Sequence, residues 1–304
     1  MRRYIDAHVH LTGPEVRGKR NVRFNTELKE YGFLQMDDGG FYTMPPFMHD
    51  SQFTVETLIH VMDAYSIEKA VILQSLMNEQ SDYIAQSVAK YPDRLLGAMV
   101  VEPVPEWKDI MDYWYSRGMR AIKYEMRAYT NPQCYPDIRY TTPVMLEMFR
   151  KAASLGLTIT IDPGPVDFPV YQPDALKEAI LAVPDARFVL CHMAYPLPID
   201  TPEQKARWHE MLTAAALPNC WLDVSAMPDM FDAEGWPYPT ALSLLAEAKK
   251  VAGAEKLIWG TDITGSLNRA TYPQMRDMFL RADCLDEADL DRLFYLNAKE
   301  AYQL

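Results

Sequence analysis

Short apolar segments alternate with longer segments of helical periodicity along this chain, and no other feature limits its fold as strongly. Eight apolar segments are typical of buried strands. They cover residues 4–10, 70–73, 95–101, 120–124, 157–161, 187–191, 220–224 and 257–260. Strands that alternate with helices form a parallel sheet covered by helices. Eight such units in 304 residues predict a closed (β/α)8 TIM barrel of the α/β class.

Helices are predicted between these strands and after the last one. Their apolar residues recur at helical spacing over residues 54–65, 81–91, 107–117, 143–155, 173–183, 202–216, 240–252, 272–282 and 287–302. The alternative is an open doubly wound sheet, but neither a GxGxxG nor a GxxxxGK[ST] phosphate loop follows any predicted strand. No linker rich in Gly, Ser or charge divides the chain, so residues 1–304 are expected to form one domain.

A long insertion, residues 12–53, follows the first predicted strand. It begins with basic residues such as Arg17 and Lys19 and continues with apolar ones such as Phe33, Met36 and Phe41. A loop of this length in a compact domain usually has a function, and Met with aromatic residues forms adaptable pocket walls. We expect a lid over a binding site. The alternative is that the insertion packs against a second copy of the chain in a homodimer.

The composition limits the partners. A net charge of -12 and a pI near 5.0 disfavour nucleic acid, because phosphate backbones would be repelled. No apolar run approaches the roughly 20 residues that span a bilayer, and Met1-Arg2-Arg3 leads into the first strand without a signal-peptide core. The four Cys show no CxxC spacing, which indicates reduced thiols. We expect a cytoplasmic protein that binds a small molecule, not nucleic acid or a membrane.

Two histidines, His8 and His10, end the first predicted strand. Side chains alternate across a strand, so both are expected on the same face as Asp6, with Cα atoms about 7 Å apart. Neutral imidazole is the commonest protein ligand for zinc and related ions. The spacing alone is weak evidence, but the breaker Leu-Thr-Gly-Pro at 11–14 follows the pair directly, as at the end of a barrel strand.

Ionisable side chains also follow three later predicted strands, namely Asp162, His192 and Asp262. Each has a simpler explanation by itself, since Asp162 precedes a Pro-Gly turn, His192 suits a hydrogen-bonded core and Asp262 suits a cap. The carboxyl ends of barrel strands, however, meet at one mouth. Together with the histidine pair, these residues predict a metal site at that mouth.

At these residues the chain resembles the amidohydrolase superfamily, in the branch that includes aminocarboxymuconate semialdehyde decarboxylase. Residues 6–10 (DAHVH) match the family's DxHxH motif, residues 187–192 (RFVLCH) its strand-six histidine segment and residues 257–262 (LIWGTD) its strand-eight aspartate. Residues 297–302 (NAKEAY) are similar to the terminal helix of that branch. The resemblance covers nearly the whole chain.

The resemblance implies that His8, His10 and Asp262 bind one divalent metal ion, with Zn²⁺ expected before Mn²⁺ or Mg²⁺. It also implies that His192 orients the substrate or transfers a proton. The family usually has a metal-binding histidine at the end of strand five, where this chain has Asp162. A carboxylate also binds zinc but shifts the preference toward harder ions, so Asp162 is a fourth candidate ligand. The alternative is that the metal is weakly held or lost.

Three further residues are expected to contact the substrate. Lys123 ends the fourth predicted strand and resembles the carboxylated lysine of binuclear relatives, although one metal ion is expected here. Arg127 follows the same strand and suits a substrate carboxylate, with a structural salt bridge as the alternative. His49 lies in the insertion, within reach of the barrel mouth.

Two reactions fit these residues. The first is metal-dependent hydrolysis of a small amide or lactone, in which a metal-activated water attacks a carbonyl, Asp262 takes its proton and His192 stabilises the oxyanion. The second is metal-dependent non-oxidative decarboxylation of a small carboxylic acid, because the branch contains both chemistries. Hydrolysis comes first since it dominates the wider superfamily. A metal-free binding or scaffold barrel is the alternative of another class.

Overall fold

A closed parallel barrel forms the frame of the molecule in a computed structural model that describes residues 2–37, 39–126 and 138–304. Eight strands lie side by side in chain order. They are β1 (Tyr4–Val9), β6 (Ile67–Ile72), β7 (Leu95–Met99), β8 (Ala121–Glu125), β9 (Thr158–Asp162), β10 (Arg187–Leu190), β11 (Cys220–Asp223) and β12 (Leu257–Ile258). Hydrogen bonds from Ala7 N to Trp259 O (3.1 Å) and from His10 N to Ile263 O (2.7 Å) join the last strand to the first. The predicted α/β TIM barrel is therefore confirmed.

Helices connect the strands and pack on the outside of the barrel. They are α1 (Val55–Ala64), α2 (Ser81–Lys90), α3 (Trp107–Ser116), α4 (Pro143–Ser154), α5 (Pro173–Ala182), α6 (Pro202–Ala215), α7 (Met227–Met230), α8 (Pro239–Ala252), α9 (Tyr272–Asp277), α10 (Glu287–Asp291) and α11 (Asn297–Tyr302). Their starts follow from sequence: the Thr201 hydroxyl accepts a hydrogen bond from Gln204 N (3.2 Å) and caps α6. Within the described part of the chain, no helix is long and apolar enough to cross a bilayer.

The last two predicted helices are interrupted. A 3₁₀ turn, Phe279–Arg281, follows the end of α9, and a π-helical turn, Arg292–Leu296, separates α10 from α11. Apolar periodicity does not distinguish these tighter and wider turns from α-helix, because all of them place buried side chains at similar spacings.

Apolar side chains fill two layers, one between strands and helices and a smaller one inside the barrel. The inner layer continues onto α11. The Thr158 hydroxyl donates to Ala301 O (2.7 Å), and the Tyr302 hydroxyl lies 3.2 Å from Thr160 Oγ1. Because Thr158 is the first residue of β9, α11 closes the amino ends of the strands. The carboxyl ends, where side chains of several strands converge, form the opposite mouth.

The insertion folds into an antiparallel sheet that the sequence reasoning did not predict. Its strands are β2 (Arg20–Asn21), β3 (Thr26–Leu28), β4 (Phe33–Met36) and β5 (Gly39–Tyr42). Strands of two to four residues are too short for alternation to be recognised. The ends of the insertion are tied together, since Thr12 N donates to Phe53 O (3.0 Å) and Phe53 N to Thr12 O (2.9 Å).

Candidate metal centre and substrate cavity

Three side chains at the carboxyl ends of β1 and β12 direct ligand atoms toward a common point. His10 Nε2 lies 3.0 Å from Asp262 Oδ1, and His8 Nε2 lies 3.5 Å from the same oxygen. Each of the three residues offers one ligand atom within 4.8 Å of the other two. The structure thus brings together the residues for which the resemblance implies a metal-binding role.

Hydrogen bonds on the Nδ1 atoms leave both Nε2 atoms for a ligand. His10 Nδ1 donates to Leu73 O (3.1 Å), and His8 Nδ1 donates to Asp223 Oδ2 (2.5 Å). A proton on Nδ1 leaves the lone pair of a neutral imidazole on Nε2. His8 Nε2 is fully buried and has no hydrogen-bond partner among the described residues. Because buried nitrogen atoms rarely lack partners, this atom fits a metal ligand.

The charges at this point also suit a cation. Burial lowers the pKa of His8 well below its usual value, so its ring is a neutral imidazole. Burial would raise the pKa of Asp262, but the surrounding imidazoles hold it well below its usual range, so it is an anion. His10 Nε2 faces that anion at 3.0 Å although its Nδ1 proton is already donated. A metal ion between these two atoms would bind both of them, since an imidazole nitrogen and a carboxylate oxygen are both donors to a metal.

Asp223, the last residue of β11, and Ser225, which follows the strand, contact the two buried histidines, and the sequence reasoning missed both. The Ser225 hydroxyl lies 3.1 Å from His8 Nδ1 and 3.0 Å from His192 Nδ1, while Ser225 N donates to Asp223 Oδ1 (2.7 Å). A signal for Asp223 was present. It is an ionisable residue at the end of an apolar strand, the pattern that selected the other strand-end residues.

His192 begins a left-handed turn directly after β10. Residues 192–195 have φ angles of 56°, 52°, 57° and 51°, a region that costs a residue with a side chain about 1 kcal/mol or more. Two side chains hold the turn, because Trp208 Nε1 donates to Met193 O (2.9 Å) and the Tyr171 hydroxyl donates to Ala194 O (2.8 Å). Strain that is maintained by surrounding contacts is typical of functional sites.

The ring of His192 lies beside that of His8, with 4.7 Å between centroids. Burial lowers the pKa of His192 to about 4, so the imidazole is neutral at pH 7. The Ser225 hydroxyl lies 3.0 Å from His192 Nδ1. In the tautomer in which this hydroxyl donates to Nδ1, the ring carries its hydrogen on Nε2. His192 lines the cavity described below, and in that tautomer it offers an N–H donor to the contents of the cavity.

Asp162 ends β9 at the same mouth, but the close group of ligand atoms above does not include it. Its Oδ1 accepts a hydrogen bond from Gly164 N (3.0 Å), as expected of a turn-forming aspartate. Its Oδ2 lies 3.9 Å from His192 Nε2. Its role as a metal ligand stays a prediction.

A second group of donor atoms consists of His8, Cys191 and His192. We favour the first group, because Lys123 Nζ lies 3.2 Å from Cys191 Sγ and a lysine cation repels a metal ion. Burial would lower the pKa of Lys123, but the nearby carboxylates of Asp162 and Glu125 raise it, so this lysine is charged. Burial also raises the pKa of Cys191 well above its usual value, which leaves it a thiol.

A cavity of about 530 Å³ opens at the mouth of the barrel. Its lining includes His10, Asp262, Asp162, His192 and Lys123 from the barrel, and Leu34, Phe41, Tyr42 and Thr43 from the insertion. The insertion is therefore part of the cavity wall. A larger cleft of about 720 Å³ lies between the start of the insertion and α2, but none of the described candidate site residues lines it.

One residue expected to contact the substrate, His49, is not among the described residues of this lining. His49 lies on the exposed side of the insertion, with Nδ1 2.9 Å from Asp50 Oδ1, and stacks edge-on against Tyr31. A role for it in substrate binding has no support from this geometry. Arg127 lies outside the described residues.

Asp6 does not share a face with the histidine pair, so that expectation is wrong. Its carboxylate accepts hydrogen bonds from Thr261 N (2.9 Å), from the Thr261 hydroxyl (2.7 Å) and from the Tyr272 hydroxyl (2.8 Å). The register of β1 against β6 shifts between Asp6 and Val9, and such an irregularity breaks the alternation of side chains. Asp6 instead links β1 to the segment after β12 and to α9.

The family model described as amidohydrolase matches residues 5–304. No curated protein matches the chain at a significant level.

Several solved structures share the fold. A probable 2-pyrone-4,6-dicarboxylic acid hydrolase from Acinetobacter baumannii, with citric acid bound, is 16% identical over 99% of each chain, with a TM-score of 0.71. An amidohydrolase from Burkholderia multivorans with bound zinc is 14% identical over 99% of each chain, with a TM-score of 0.73. The 5-carboxyvanillate decarboxylase from Sphingomonas paucimobilis is 15% identical over 100% of each chain, with a TM-score of 0.66. At these identities the likeness shows a common fold.

Proposed function

The chain belongs to the amidohydrolase family, and from this premise we propose that it is a metal-dependent hydrolase of a small lactone or amide. Membership makes it an amidohydrolase-superfamily enzyme, a hydrolase or a carboxy-lyase. One observation carries the metal dependence. His8 Nε2 is buried without a hydrogen-bond partner among the described residues and lies 3.5 Å from the Asp262 carboxylate. Such an atom is costly unless it binds a ligand.

The residues present fit one divalent ion. His8 and His10 would hold it through their Nε2 atoms, and Asp262 through Oδ1. Two imidazoles and a carboxylate are donors that zinc accepts, so we propose Zn²⁺ ahead of Mn²⁺ or Mg²⁺. When bound, such an ion polarises a carbonyl group and increases the acidity of water.

The neighbouring side chains supply the proton transfers and the orientation of the substrate. Asp262 is an anion and accepts the proton of the attacking water at a carboxylate oxygen. His192, with its hydrogen on Nε2, donates a hydrogen bond to the carbonyl oxygen of the substrate, where negative charge develops. Lys123 lines the same cavity as a cation and favours that developing charge.

The charges of the cavity favour hydrolysis over decarboxylation. The described lining contains four carboxylates, those of Glu125, Asp162, Asp229 and Asp262, and one lysine, Lys123. The proposed divalent ion offsets two of these negative charges, so one negative charge remains in excess. A decarboxylase must bind a substrate that is itself a carboxylate, and an excess of negative charge opposes that binding. A neutral lactone or amide meets no such repulsion.

The insertion also bears on assembly. Val22 and Phe47 are each 84% exposed on it, and a second copy of the chain would remove them from water. A homodimer stays a prediction, which light scattering coupled to gel filtration tests directly. A monomer at micromolar concentration would contradict it.

Turnover of a substrate panel by zinc-loaded protein tests the proposed function. Lactone hydrolysis is followed by acid release, amide hydrolysis by amine release and decarboxylation by carbon dioxide release. We expect acid or amine release that Asp262→Asn abolishes and that Asp232→Asn, a matched charge change outside the cavity lining, leaves unchanged. Release of carbon dioxide would favour the carboxy-lyase. Protein that binds no metal and turns over nothing would favour the scaffold.

A further inference from the structure

Asp229 is an acidic residue of the cavity for which the proposed mechanism has no use. It lies on the short helix α7, after β11, and its side chain is accessible from the cavity. The Ser266 hydroxyl donates to Asp229 Oδ2 (2.5 Å), and Ser266 N donates to Asp262 O (3.2 Å). One serine therefore fixes the Asp229 carboxylate relative to the candidate metal ligand Asp262.

The second oxygen of Asp229 is not used by the described part of the protein. Within that part, the hydrogen bond from Ser266 is the one that this carboxylate makes. The nearby Arg269 does not neutralise it through an ion pair, because Arg269 Nε binds Asp232 Oδ2 at 3.0 Å. Asp229 thus presents an acceptor oxygen and a negative charge to the cavity.

Other polar groups of the lining are already engaged. Gln80 accepts from Gly13 N (2.6 Å) and donates to Leu11 O (3.0 Å), which holds the start of the insertion. Glu125 accepts from the Ser75 hydroxyl (2.9 Å). Asp229 therefore keeps an accessible acceptor oxygen, unlike these two engaged groups. Independently, the buried His8 Nε2 without a hydrogen-bond partner among the described residues, 3.5 Å from Asp262 Oδ1, indicates a ligand at this mouth.

Apolar side chains face the same space. Leu34 and Phe41 come from the insertion, Met77 follows β6 and Met230 ends α7. A ligand that matches the cavity has an apolar ring for these side chains and a hydrogen-bond donor for Asp229. A carboxylate beside Asp229 would be repelled by it and by Asp262.

We propose that Asp229 is a substrate-binding residue that accepts a hydrogen bond from an O–H or N–H group of the substrate. This inference rests on the proposed function and gives its substrate class, which is a ring-containing lactone or amide with a hydroxyl or amino substituent and without a carboxylate at that position. Because the Asp229 carboxylate binds a hydrogen-bond donor and repels an anion, the affinities for substrates with these two kinds of substituent should differ by about tenfold or more.

A matched ligand series tests the proposal. The probes are 3,4-dihydrocoumarin and three derivatives of it that carry a hydroxyl, an amino or a carboxyl group at the same ring position. A second set carries the same three groups at another ring position. Dissociation constants from calorimetry and kcat/KM from acid release are measured separately on zinc-loaded protein. The variants are Asp229→Asn, which removes charge at constant size, Asp229→Ala, and the control Asp185→Asn, which removes an exposed carboxylate in the turn before β10, outside the cavity lining. Zinc affinity and melting temperature report any general damage.

We expect wild type and Asp185→Asn to bind the hydroxyl and amino compounds about tenfold or more tightly than the carboxyl compound. Asp229→Asn should lower the ratio between the dissociation constants of the carboxyl compound and of the other two compounds. Asp229→Ala should bind the hydroxyl compound no more tightly than unsubstituted 3,4-dihydrocoumarin. Preference for the carboxyl compound, discrimination unchanged in both Asp229 variants, or binding of no member of the series would overturn the inference. If the protein hydrolyses the compounds without discriminating between their substituents, the proposed function is supported and the inference about Asp229 is wrong. If it discriminates between the substituents in binding but hydrolyses none of the compounds, the inference about Asp229 is supported and the proposed function is wrong.

Discussion

His8 Nδ1 lies 2.5 Å from Asp223 Oδ2, and both side chains are completely buried. The two residues are 215 positions apart, on the first and seventh strands of the barrel. Asp223 accepts the Nδ1 proton of His8 and so leaves Nε2 as the free lone pair. A carboxylate behind a histidine fixes the orientation of the ring and increases its basicity, as in many metal sites.

Asp223→Ala should lower zinc affinity by roughly 10- to 100-fold, because loss of a carboxylate behind a ligating histidine has effects of that size. Competition with a chromophoric chelator measures the dissociation constant. Asp232→Asn serves as a control for loss of one negative charge. Equal affinity in wild type and Asp223→Ala would show that the pair is structural only.

Removal of metal should lower the melting temperature of the protein. Purified protein is expected to carry close to one divalent ion per chain at the centre of His8, His10 and Asp262. An ion that binds only the folded state stabilises it, by about 2.7 kcal/mol at a concentration 100 times its dissociation constant. Elemental analysis and thermal melts with and without chelator check both statements. A His10→Ala variant that still shows the full chelator effect would place the ion elsewhere.

His192→Asn should leave metal content intact and remove most turnover. Its Nε2–H is directed to the substrate in the proposed mechanism and is outside the group of His8, His10 and Asp262. Metal analysis and kcat on the same preparation make the comparison. Parallel loss of zinc and activity would mean that His192 is itself a ligand.

Asp162→Ala separates two roles of a buried carboxylate. If Asp162 forms only the turn in which Gly164 N donates to Oδ1 (3.0 Å), the substitution lowers the melting temperature and leaves the zinc dissociation constant unchanged. If it is a ligand, affinity falls, and Asp162→His retains or strengthens binding since imidazole and carboxylate bind zinc at similar distances. Measuring both quantities on the alanine variant decides between the roles.

Stability attributable to Asp6 should decrease as the pH rises from about 4 to about 7. Burial raises the pKa of Asp6 in the folded state to about 7, whereas an exposed aspartate has a pKa of about 3.9. Between these values the unfolded chain has lost the proton that the folded chain keeps, so stability falls with rising pH, and it is constant outside this window. The free energy of unfolding of wild type minus that of Asp6→Asn, measured in chelator, isolates this effect. A difference that is independent of pH would show that Asp6 ionises normally.

The barrel could be predicted because its signals are local. Each of the eight predicted strands overlaps a strand of the closed sheet, and polar side chains at strand ends indicated His8, His10, His192 and Asp262. The same rule applied to β11 would have found Asp223. The sheet of the insertion was missed, because strands of two to four residues carry too little periodicity to be distinguished from loop.

By itself, the sequence determined which residues form strands and helices, and therefore a barrel whose strand ends share one mouth. Only the tertiary structure decided which polar side chains meet there. The register shift after Asp6 separates this residue from His8, and Asp229 lines the cavity from α7, where the Ser266 hydroxyl donates to its carboxylate. Alternation and spacing depend on neighbours in sequence, whereas the direction of a side chain at a strand end depends on packing against segments more than 200 residues away, as between His8 and Asp223.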